Sequence, residues 1–331
     1  MHTAEYWHKQ DEGGVACELC PHHCTIAEGR TGLCGVRRVT GGVLHAIGYG
    51  LLSSAHADPI EKKPLYHFQP GRLIMSIGGW GCNFACEFCQ NWSLSQQVVE
   101  RGDRYAADRI AEQAGLDGSV GIAYTYNEPL INFEFVRDCA ACVKDNGLAN
   151  VLVTNGHIEP APAAELLPLI DALNIDVKSM DPQFYKDRCR GQLAPVLRFA
   201  EQARRAGCHV EITNLVIPGL NDADRRIEEL AGWIAEQLGA ETPLHLSAYH
   251  PQYKMRVRHT PVETLRHARE LASTRLSYVY LGNVLSADGQ DTACPQCGNT
   301  LVSRHGFSAR LAGLKDKRCA DCGRPADFVL G

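Results

Sequence analysis

Three cysteines within eight residues constrain this chain more than any other feature. Cys82, Cys86 and Cys89 form a C-x3-C-x2-C motif, directly after the apolar run 73–77 and the glycine-rich turn 78–81. Thiolates are the usual ligands of iron–sulfur clusters, and three at this spacing can hold three irons of a [4Fe–4S] cube. Because no fourth cysteine follows nearby, one iron would lack a protein ligand. An open coordination position on a metal centre is a place for chemistry.

Eight further cysteines form two groups of four. The N-terminal group is Cys17, Cys20, Cys24 and Cys34, and the C-terminal group is Cys294, Cys297, Cys319 and Cys322. The chain starts with polar residues and lacks the apolar core of a signal peptide, so we expect a cytoplasmic protein. In a reducing compartment, grouped cysteines indicate metal sites rather than disulfides.

The two groups predict different metal sites. In the N-terminal group, a C-x2-C pair with two more cysteines nearby suits a structural zinc ion or a second iron–sulfur cluster. His22 or His23 is an alternative ligand there, and a site without metal is a third alternative. The C-terminal group forms two C-x2-C-Gly motifs, in which glycine allows the positive φ that turns backbone N–H groups toward sulfur. This pattern predicts a zinc-ribbon-like module.

Composition argues against two classes of protein. The 33 basic and 38 acidic residues give a net charge of −5, which makes a broad nucleic-acid-binding face an unfavourable interpretation. The sequence has no apolar run of about 18 residues or more, so we expect no membrane span. The 45% of hydrophobic residues is ordinary for a globular protein with a substantial core.

Between the two cysteine groups, short apolar runs alternate with amphipathic segments. The predicted strands are 73–77, 120–124, 151–154, 173–177, 209–217, 244–248 and 278–281. The predicted helices include 131–146, 195–206 and 222–238. This alternation predicts a parallel β/α sheet or barrel, whose ligands bind at the C-terminal ends of the strands. The stretch 58–71 contains three prolines, and we expect an ordered loop near the cluster or a linker.

The cysteine motif, with aromatic Phe88 beside Cys89 and a strand before it, resembles that of the radical S-adenosylmethionine (SAM) superfamily. The resemblance implies a partial, six-stranded (β/α)6 TIM-like barrel and a [4Fe–4S] cluster on the three cysteines. It implies that SAM chelates the fourth iron through its amino and carboxylate groups. One electron from an external donor would then split SAM into methionine and a 5′-deoxyadenosyl radical, which takes hydrogen from a substrate.

The same resemblance implies which residues contact SAM. Phe88 would lie against the adenine, and the segment with Asn127 and Glu128 would hold the amino group, although the family commonly has Gly-Gly-Glu there. The remaining candidates follow later strands: Thr154, Asn155, Asp176, Lys178 and His250. Residues two apart on a strand share a face, and buried charges must be paired or bind a charged ligand. The carboxylate of SAM is a partner for Lys178.

Over nearly its full length the chain is similar to the radical SAM proteins of the AmmeMemoRadiSam system, which are related to pyruvate formate-lyase activating enzymes. The similarity rests on the sequences at 17–24, 58–64 and 82–92. It implies AMMECR1-like and Memo-like proteins as partners. We expect an N-terminal cysteine-rich module in 1–70, a radical SAM core in 71–285 and the zinc-ribbon-like module in 286–331.

Two classes of function follow. The first is an oxidoreductase or modifying enzyme that abstracts hydrogen from an unidentified substrate, with activation of a glycyl-radical enzyme as the alternative. The second is a metal-stabilised binding protein, or an RNA-binding module, whose cluster is structural. Formation of 5′-deoxyadenosine under strong reduction distinguishes the two classes, because a structural cluster does not cleave SAM.

Overall fold

The computed structural model describes residues 1–11, 14–116, 118–284 and 289–331. Its N-terminal strands are β1 (His2–Thr3), β2 (Trp7–Lys9), β3 (Val15–Cys17), β4 (Thr25–Ile26), β5 (Arg37–Thr40) and β6 (Val43–Ala46). They form two antiparallel sheets, with strand orders β2-β3-β4 and β1-β6-β5. Val15, Ile26 and Leu44 are buried and belong to the same hydrophobic core as the barrel that follows. The N-terminal segment therefore packs as part of the main body.

One eight-stranded sheet forms the centre of the protein. Its strands are β7 (Ser54–Pro59), β8 (Leu73–Gly78), β9 (Gly121–Tyr124), β10 (Ala149–Thr154), β11 (Ala172–Asp176), β12 (His209–Val216), β13 (Leu244–Ala248) and β14 (Val279–Gly282). They lie in chain order, with β8 to β14 parallel and β7 antiparallel to β8. The predicted β/α fold is confirmed, and each predicted strand is present. The sheet has one parallel strand more than the six implied by resemblance, and an antiparallel edge.

Helices connect the parallel strands. They are α1 (Trp92–Ser95), α2 (Ala107–Leu116), α3 (Phe133–Asp145), α4 (Pro160–Leu166), α5 (Pro182–Phe184), α6 (Leu193–Arg205), α7 (Asp224–Trp233) and α8 (Val262–Ala272). Short 3-10 segments lie at Ile60–Lys62, Pro129–Asn132 and Leu167–Leu169, and π-helical turns extend α5 and α7 through Tyr185–Cys189 and Ile234–Leu238. Among the described helices, none combines the length and the apolar character needed to cross a bilayer.

The proline-containing stretch after β7 closes the barrel at the N-terminal ends of its strands. Ile60, Leu65 and Phe68 are buried, and they pack against side chains from the first residues of β8 to β11. Two backbone N–H groups of this stretch, at Tyr66 and His67, donate to the carboxylate of Glu211 on β12, at 3.0 and 2.7 Å. The stretch is thus the floor of the barrel, at the end opposite to that where ligands of such folds bind.

Glu211 is the centre of this floor. It is fully buried, and Nε2 of His209 and Nε2 of His245 lie 2.9 and 2.6 Å from its carboxylate oxygens. Burial alone would raise the pKa of Glu211, but the two histidines hold it well below its usual range. In the structure Glu211 binds the floor of the barrel.

The C-terminal segment packs against the outside of this floor. Its strands are β15 (Thr292–Ala293), β16 (Thr300–His305), β17 (Ser308–Leu311), β18 (Leu314–Lys315) and β19 (Arg318–Cys319). Arg304 is buried and donates to the carbonyl of Tyr66 at 2.7 Å, with its guanidinium 4.1 Å from the centre of that ring. Nδ1 of His67 lies 2.7 Å from the carbonyl oxygen of Asp327. The contact between module and barrel is therefore polar and buried.

The three-part division into 1–70, 71–285 and 286–331 stays a prediction. Strand β7 lies in the first part and pairs along its length with β8 of the second. The boundary between 285 and 286 lies outside the described residues.

Candidate active site

The cysteine loop, residues 82–89, leaves the C-terminal end of β8 after a glycine-rich turn. The side chain of Asn127, just beyond β9, holds this turn from both sides. Its Oδ1 accepts from the N–H of Gly79 at 2.8 Å, and its Nδ2 donates to the carbonyls of Trp80 and Gly81, each at 3.1 Å. The predicted SAM-binding residue Asn127 therefore positions the loop. Its contact with SAM stays a prediction.

The thiols of this loop receive hydrogen bonds from neighbouring groups. The N–H of Phe84 and the side-chain amide of Asn155 donate to Sγ of Cys82, at 3.3 and 3.7 Å. Sγ of Cys89 lies 3.2 Å from the hydroxyl oxygen of Ser95 on α1. Donors directed at sulfur stabilise the negative charge of iron–thiolate centres. The three thiols and their surroundings thus fit a [4Fe–4S] cluster.

A fourth thiol, Cys189, lies beside Cys86 and was not singled out from the sequence. It is fully buried at the end of the π-helical turn after α5 and donates to the sulfur of Cys86, which lowers the pKa of Cys86. Backbone bonds fix the contact, because Ala85 N–H donates to the Cys189 carbonyl at 2.8 Å and Glu87 N–H to that of Arg188 at 3.0 Å. No local motif marks Cys189, since it lies far from the loop in sequence.

Glu128 joins the ends of β9 and β10 beside the cysteine loop. One carboxylate oxygen accepts from Thr154 Oγ1 at 2.6 Å and from Leu130 N–H at 3.0 Å, and the other accepts from Asn155 N–H at 2.8 Å. Asn155 in turn donates to Oδ1 of Asn83 at 2.9 Å. Burial raises the pKa of Glu128 to about 7, although these hydrogen bonds oppose the shift. The predicted residues Glu128, Thr154 and Asn155 are thus brought together with the loop.

Asp176 and Lys178 form an ion pair at the end of β11. Their Oδ2 and Nζ atoms are 2.7 Å apart, and both side chains are partly buried. Burial alone would lower the pKa of Lys178, but Asp176 and the nearby Cys86 thiolate raise it. The N–H of Lys178 donates to the hydroxyl of Tyr185 at 2.9 Å, and its carbonyl accepts from Asn221 at 2.7 Å. A charged pair is therefore held near the cysteine loop.

The last two predicted contacts are Phe88, within the loop, and His250, after β13. Phe88 is buried and packs against Phe184 with ring centres 5.8 Å apart. His250 is exposed beyond β13, with Nε2 at 3.3 Å from the carbonyl oxygen of Asn283. His250 shares an open cavity of about 420 Å³ with Gln90, the residue after Cys89. The contacts of Phe88 and His250 with adenine and ribose stay predictions.

Comparison with known proteins identifies the family. The profile of the Radical SAM superfamily matches residues 77–231. A relative from Methanocaldococcus jannaschii, "Uncharacterized protein MJ0808", is 43% identical over 338 residues and covers the whole of both chains. The chain belongs to the radical SAM superfamily.

More distant relatives within this superfamily have named activities. The benzylsuccinate synthase activating enzyme of Thauera aromatica is 25% identical over 58% of this chain and 60% of its own length. The pyruvate formate-lyase 1-activating enzyme of Escherichia coli K12 is 24% identical over 51% of this chain and 71% of its own length. A solved domain of a pyruvate formate-lyase-activating enzyme from Bacteroides vulgatus aligns with 49% of this chain and 99% of its own, at 21% identity and a TM-score of 0.44.

The C-terminal cysteines of this radical SAM protein form a compact tetrad. Sγ of Cys294 lies 3.6 Å from that of Cys322, and Sγ of Cys297 lies 3.5 Å from that of Cys319. Four thiolates around a single zinc ion lie about 3.8 Å apart, given Zn–S bonds of about 2.3 Å and tetrahedral geometry. Gly298 and Gly323 have φ values of +77° and +73°, as expected for the two turns. The donor set and its spacing fit zinc.

The N-terminal cysteines share one site with wider spacing. The cavity they line has the ligand candidates Cys17, Cys20, Cys24, Cys34 and His22 in its wall. Within the described residues, the C-terminal tetrad is the one group of three or more metal-binding side chains whose ligand atoms all lie within 4.8 Å of one another. The N-terminal thiols and the three thiols of the cysteine loop both exceed this spacing. Nε2 of His22 lies 2.6 Å from the carbonyl oxygen of Asn83, and its role as an alternative ligand stays a prediction.

Proposed function

We propose that this protein holds a [4Fe–4S] cluster on Cys82, Cys86 and Cys89 and uses it to cleave SAM reductively, starting hydrogen abstraction from a substrate. When bound, the cluster supplies the electron that splits SAM into methionine and a 5′-deoxyadenosyl radical. The observation that carries the proposal is the grouping of the cysteine loop with a buried carboxylate and an ion pair at the C-terminal ends of parallel strands.

The residues around the loop have separate roles in this proposal. Glu128 accepts hydrogen bonds from Thr154 and Asn155, and these fix its carboxylate where the ammonium group of SAM needs a negative partner. Lys178, held by Asp176, offers its charge to the carboxylate of SAM. Phe88 and His250 would border the adenine and the ribose. Asn127 is a positioning residue, because its amide is bonded to the turn before the loop.

The two four-cysteine groups complete the set of metal sites. We assign zinc to the C-terminal tetrad, whose sulfur atoms already lie at the spacing of a single tetrahedral ion. For the N-terminal group, the sequence alternatives were zinc, a second cluster or no metal. The wider spacing of its thiols favours a cluster among these.

The substrate class divides the enzymatic proposal in two. Modification of a small molecule, a protein or an RNA is one possibility. Activation of a glycyl-radical enzyme is the alternative, and the names of two distant relatives support it. The AMMECR1-like and Memo-like proteins implied by resemblance are proposed partners, together with an external electron donor. A cytoplasmic location agrees with these oxygen-sensitive centres.

The test is formation of 5′-deoxyadenosine by the anaerobically reconstituted chain with SAM and a strong reductant. We expect Cys86→Ala to abolish product, a loss of about a thousandfold or more, because one cluster ligand is gone. Its zinc content should not change. Cys142→Ala is the matched control, since Cys142 is a half-buried cysteine of α3 outside the three groups. Wild-type protein with a complete cluster and no 5′-deoxyadenosine would support the structural-cluster alternative instead.

Incubation with candidate proteins then separates the substrate classes. A glycyl radical detected by electron paramagnetic resonance on a partner protein would indicate an activase. A change in product mass without such a radical would indicate a modifying enzyme.

A further inference from the structure

We propose that Cys17, Cys20, Cys24 and Cys34 hold a second iron–sulfur cluster, which passes electrons to the catalytic cluster. This proposal extends the proposed function. It rests on that function in one respect, because the electron acceptor is the proposed catalytic cluster. The presence of the second cluster is a separate statement about the N-terminal site and can be tested without SAM.

The arrangement of the thiols is the first argument. Cys17, Cys20 and Cys24 have the spacing C-x2-C-x3-C, the reverse of the C-x3-C-x2-C order in the catalytic loop. Their sulfur atoms, like those of the cysteine loop, lie farther apart than the single-ion tetrad at the C-terminus. A cube with iron at its corners separates its outer thiolates more than one zinc ion does. A spacing wider than that of a single-ion site is what a cluster requires of its thiolates.

The thiol of Cys34 determines whether such a cluster has an open coordination position. Cys34 lines the same cavity as the other three cysteines, so each iron can have a protein ligand. The three thiols of the cysteine loop lack a comparable partner within the loop and leave one iron open. A closed metal site does not bind substrate, whereas an open one does. A closed iron–sulfur cluster is suited to electron transfer.

The second argument is the direct contact between the two sites. Gly81, the residue before Cys82, packs so closely on the carbonyl of Cys34 that a methyl group there would overlap its oxygen. On the other side, His22 lies between Cys20 and Cys24 in sequence and contacts the carbonyl of Asn83, the residue after Cys82. Each site therefore contacts the other through residues adjacent to its own ligands.

The side chains between the two sites are apolar and buried, which suits electron transfer. Leu19 and Ile26 are buried in the wall of the N-terminal cavity, and Ile131 from the barrel completes it. Leu19, Ile26 and Cys86 belong to one continuous hydrophobic core, and Cys82 and Cys89 pack against it. Tight packing excludes water from the path. At the outer edge, Leu33 is 72% exposed beside Cys34, so a donor protein can approach this side.

The proposed transfer moves one electron from the donor to the catalytic cluster. One electron leaves a low-potential one-electron donor, a small flavin or iron–sulfur protein, and reduces the N-terminal cluster. The same electron then moves to the catalytic cluster, and the N-terminal cluster returns to its oxidised state. No bond forms or breaks at Cys17, Cys20, Cys24 or Cys34, and no proton is transferred there.

Metal and sulfide analysis of the full chain tests the second cluster. After anaerobic reconstitution with iron, sulfide and zinc, we expect about eight iron and about eight sulfide ions per chain. The variant with Cys82, Cys86 and Cys89 all changed to Ala should keep about half of each and show a reduced-cluster resonance signal that SAM does not alter. A variant that holds no iron, or a wild-type chain with a second zinc in place of half the iron, would overturn the proposal.

Rapid mixing of the wild-type chain with photoreduced flavodoxin tests the electron path. Samples frozen at successive times should show the SAM-insensitive signal first and the SAM-sensitive signal later. The Cys20→Ala, Cys24→Ala double variant should lose about tenfold or more in SAM cleavage with flavodoxin, and about twofold or less with Ti(III) citrate. Reduction of the catalytic cluster first, or an unchanged flavodoxin rate in the double variant, refutes the electron path.

Discussion

The two four-cysteine sites lie at opposite ends of the chain and are built in different ways. The C-terminal tetrad belongs to a small hydrophobic core of its own, formed with Leu301 and Val302. Of the N-terminal cysteines, Cys17 belongs to the core of the barrel and Cys24 packs against it, and all four line a cavity with Asn83 of the cysteine loop. The first site holds its sulfur atoms within 4.8 Å of one another, and the second does not.

Equal sets of four cysteines therefore lie in unequal structural surroundings. A module with a tiny core needs a metal ion for its stability, because it buries too little apolar surface by itself. A site inside a large hydrophobic core does not need a metal ion for stability. Its position next to another metal site is then the better guide to its role. Loss of the C-terminal metal should therefore unfold the C-terminal module alone. Disruption of the N-terminal site should also disturb the structure of the barrel.

The largest expected effect is at the C-terminal tetrad. Cys319→Ser should release the zinc and unfold the module, since metal binding contributes on the order of 10 kcal/mol to folding in small zinc domains. We expect rapid proteolysis after residue 290, with iron content unchanged. Zinc analysis and limited proteolysis measure both outcomes, and Ser303→Ala on the exposed side of β16 is the control. A protease-resistant module without zinc would show that its core folds alone.

A second prediction concerns the buried link between the N-terminal module and the barrel. Arg37 on β5 and Glu134 on α3 form an ion pair at 3.0 Å, with side chains only 1% and 0% exposed. Arg37→Met leaves the carboxylate of Glu134 buried without its cation, which should lower the free energy of unfolding by about 3–5 kcal/mol. Urea unfolding measures this loss, and the variant should also lose iron from both cluster sites.

Arg109 provides the matched control for this experiment. It pairs with Glu112 at 2.8 Å, but the two side chains are 74% and 53% exposed. Because water screens this pair, Arg109→Met should change the free energy of unfolding by about 1 kcal/mol or less. Equal losses in the two variants would mean that the N-terminal module is not coupled to the barrel as its burial indicates.

The sequence predicted best where the chemistry is local. The cysteine loop lies within eight residues, so the strand before it and the three candidate ligands could be predicted from a short local pattern, and the strand is present. The floor of the barrel could not be predicted in this way. Tyr66 binds Glu211, which is 145 residues away in sequence, and Arg304, which is 238 residues away. Cys189 was missed for the same reason, since its contact with Cys86 depends on how a π-helical turn packs on the loop. Contacts of this range leave no periodic pattern in the chain.

A third prediction tests how the C-terminal module is attached. His67 in the floor is buried and neutral, with Nε2 at 2.6 Å from the hydroxyl of Tyr280, and burial lowers its pKa to about 3. A histidine whose pKa falls on folding adds stability above about pH 6.5, the value in the unfolded chain, and this stability is lost as the pH falls. Between pH 7 and pH 5 the contribution of His67 to the free energy of unfolding should therefore drop by about 2 kcal/mol.

The measurement is urea unfolding at both pH values. His67→Gln should reduce the difference between the two pH values by about 2 kcal/mol, because glutamine does not titrate, whereas His305→Gln on the exposed end of β16 should leave the difference as it is. An unchanged pH dependence in His67→Gln would contradict a neutral, buried imidazole in the floor.

The smallest effect concerns the thiol beside the catalytic loop. If surroundings decide what a cysteine does, Cys189 should tune the cluster without holding it. Its hydrogen bond to the sulfur of Cys86 stabilises negative charge there, and the reduced cluster is the more negative form. Cys189→Ala should therefore make the reduction potential of the catalytic cluster more negative, by a shift on the order of tens of millivolts.

A redox titration of the SAM-sensitive resonance signal measures this shift. Cys208→Ala is the matched control, because Cys208 is equally buried and its thiol donates to the carbonyl of Ile170, away from the loop. Loss of iron from Cys189→Ala would identify Cys189 as a ligand. The catalytic cluster would then be closed like the proposed N-terminal one, and the contrast between an open and a closed cluster would no longer hold.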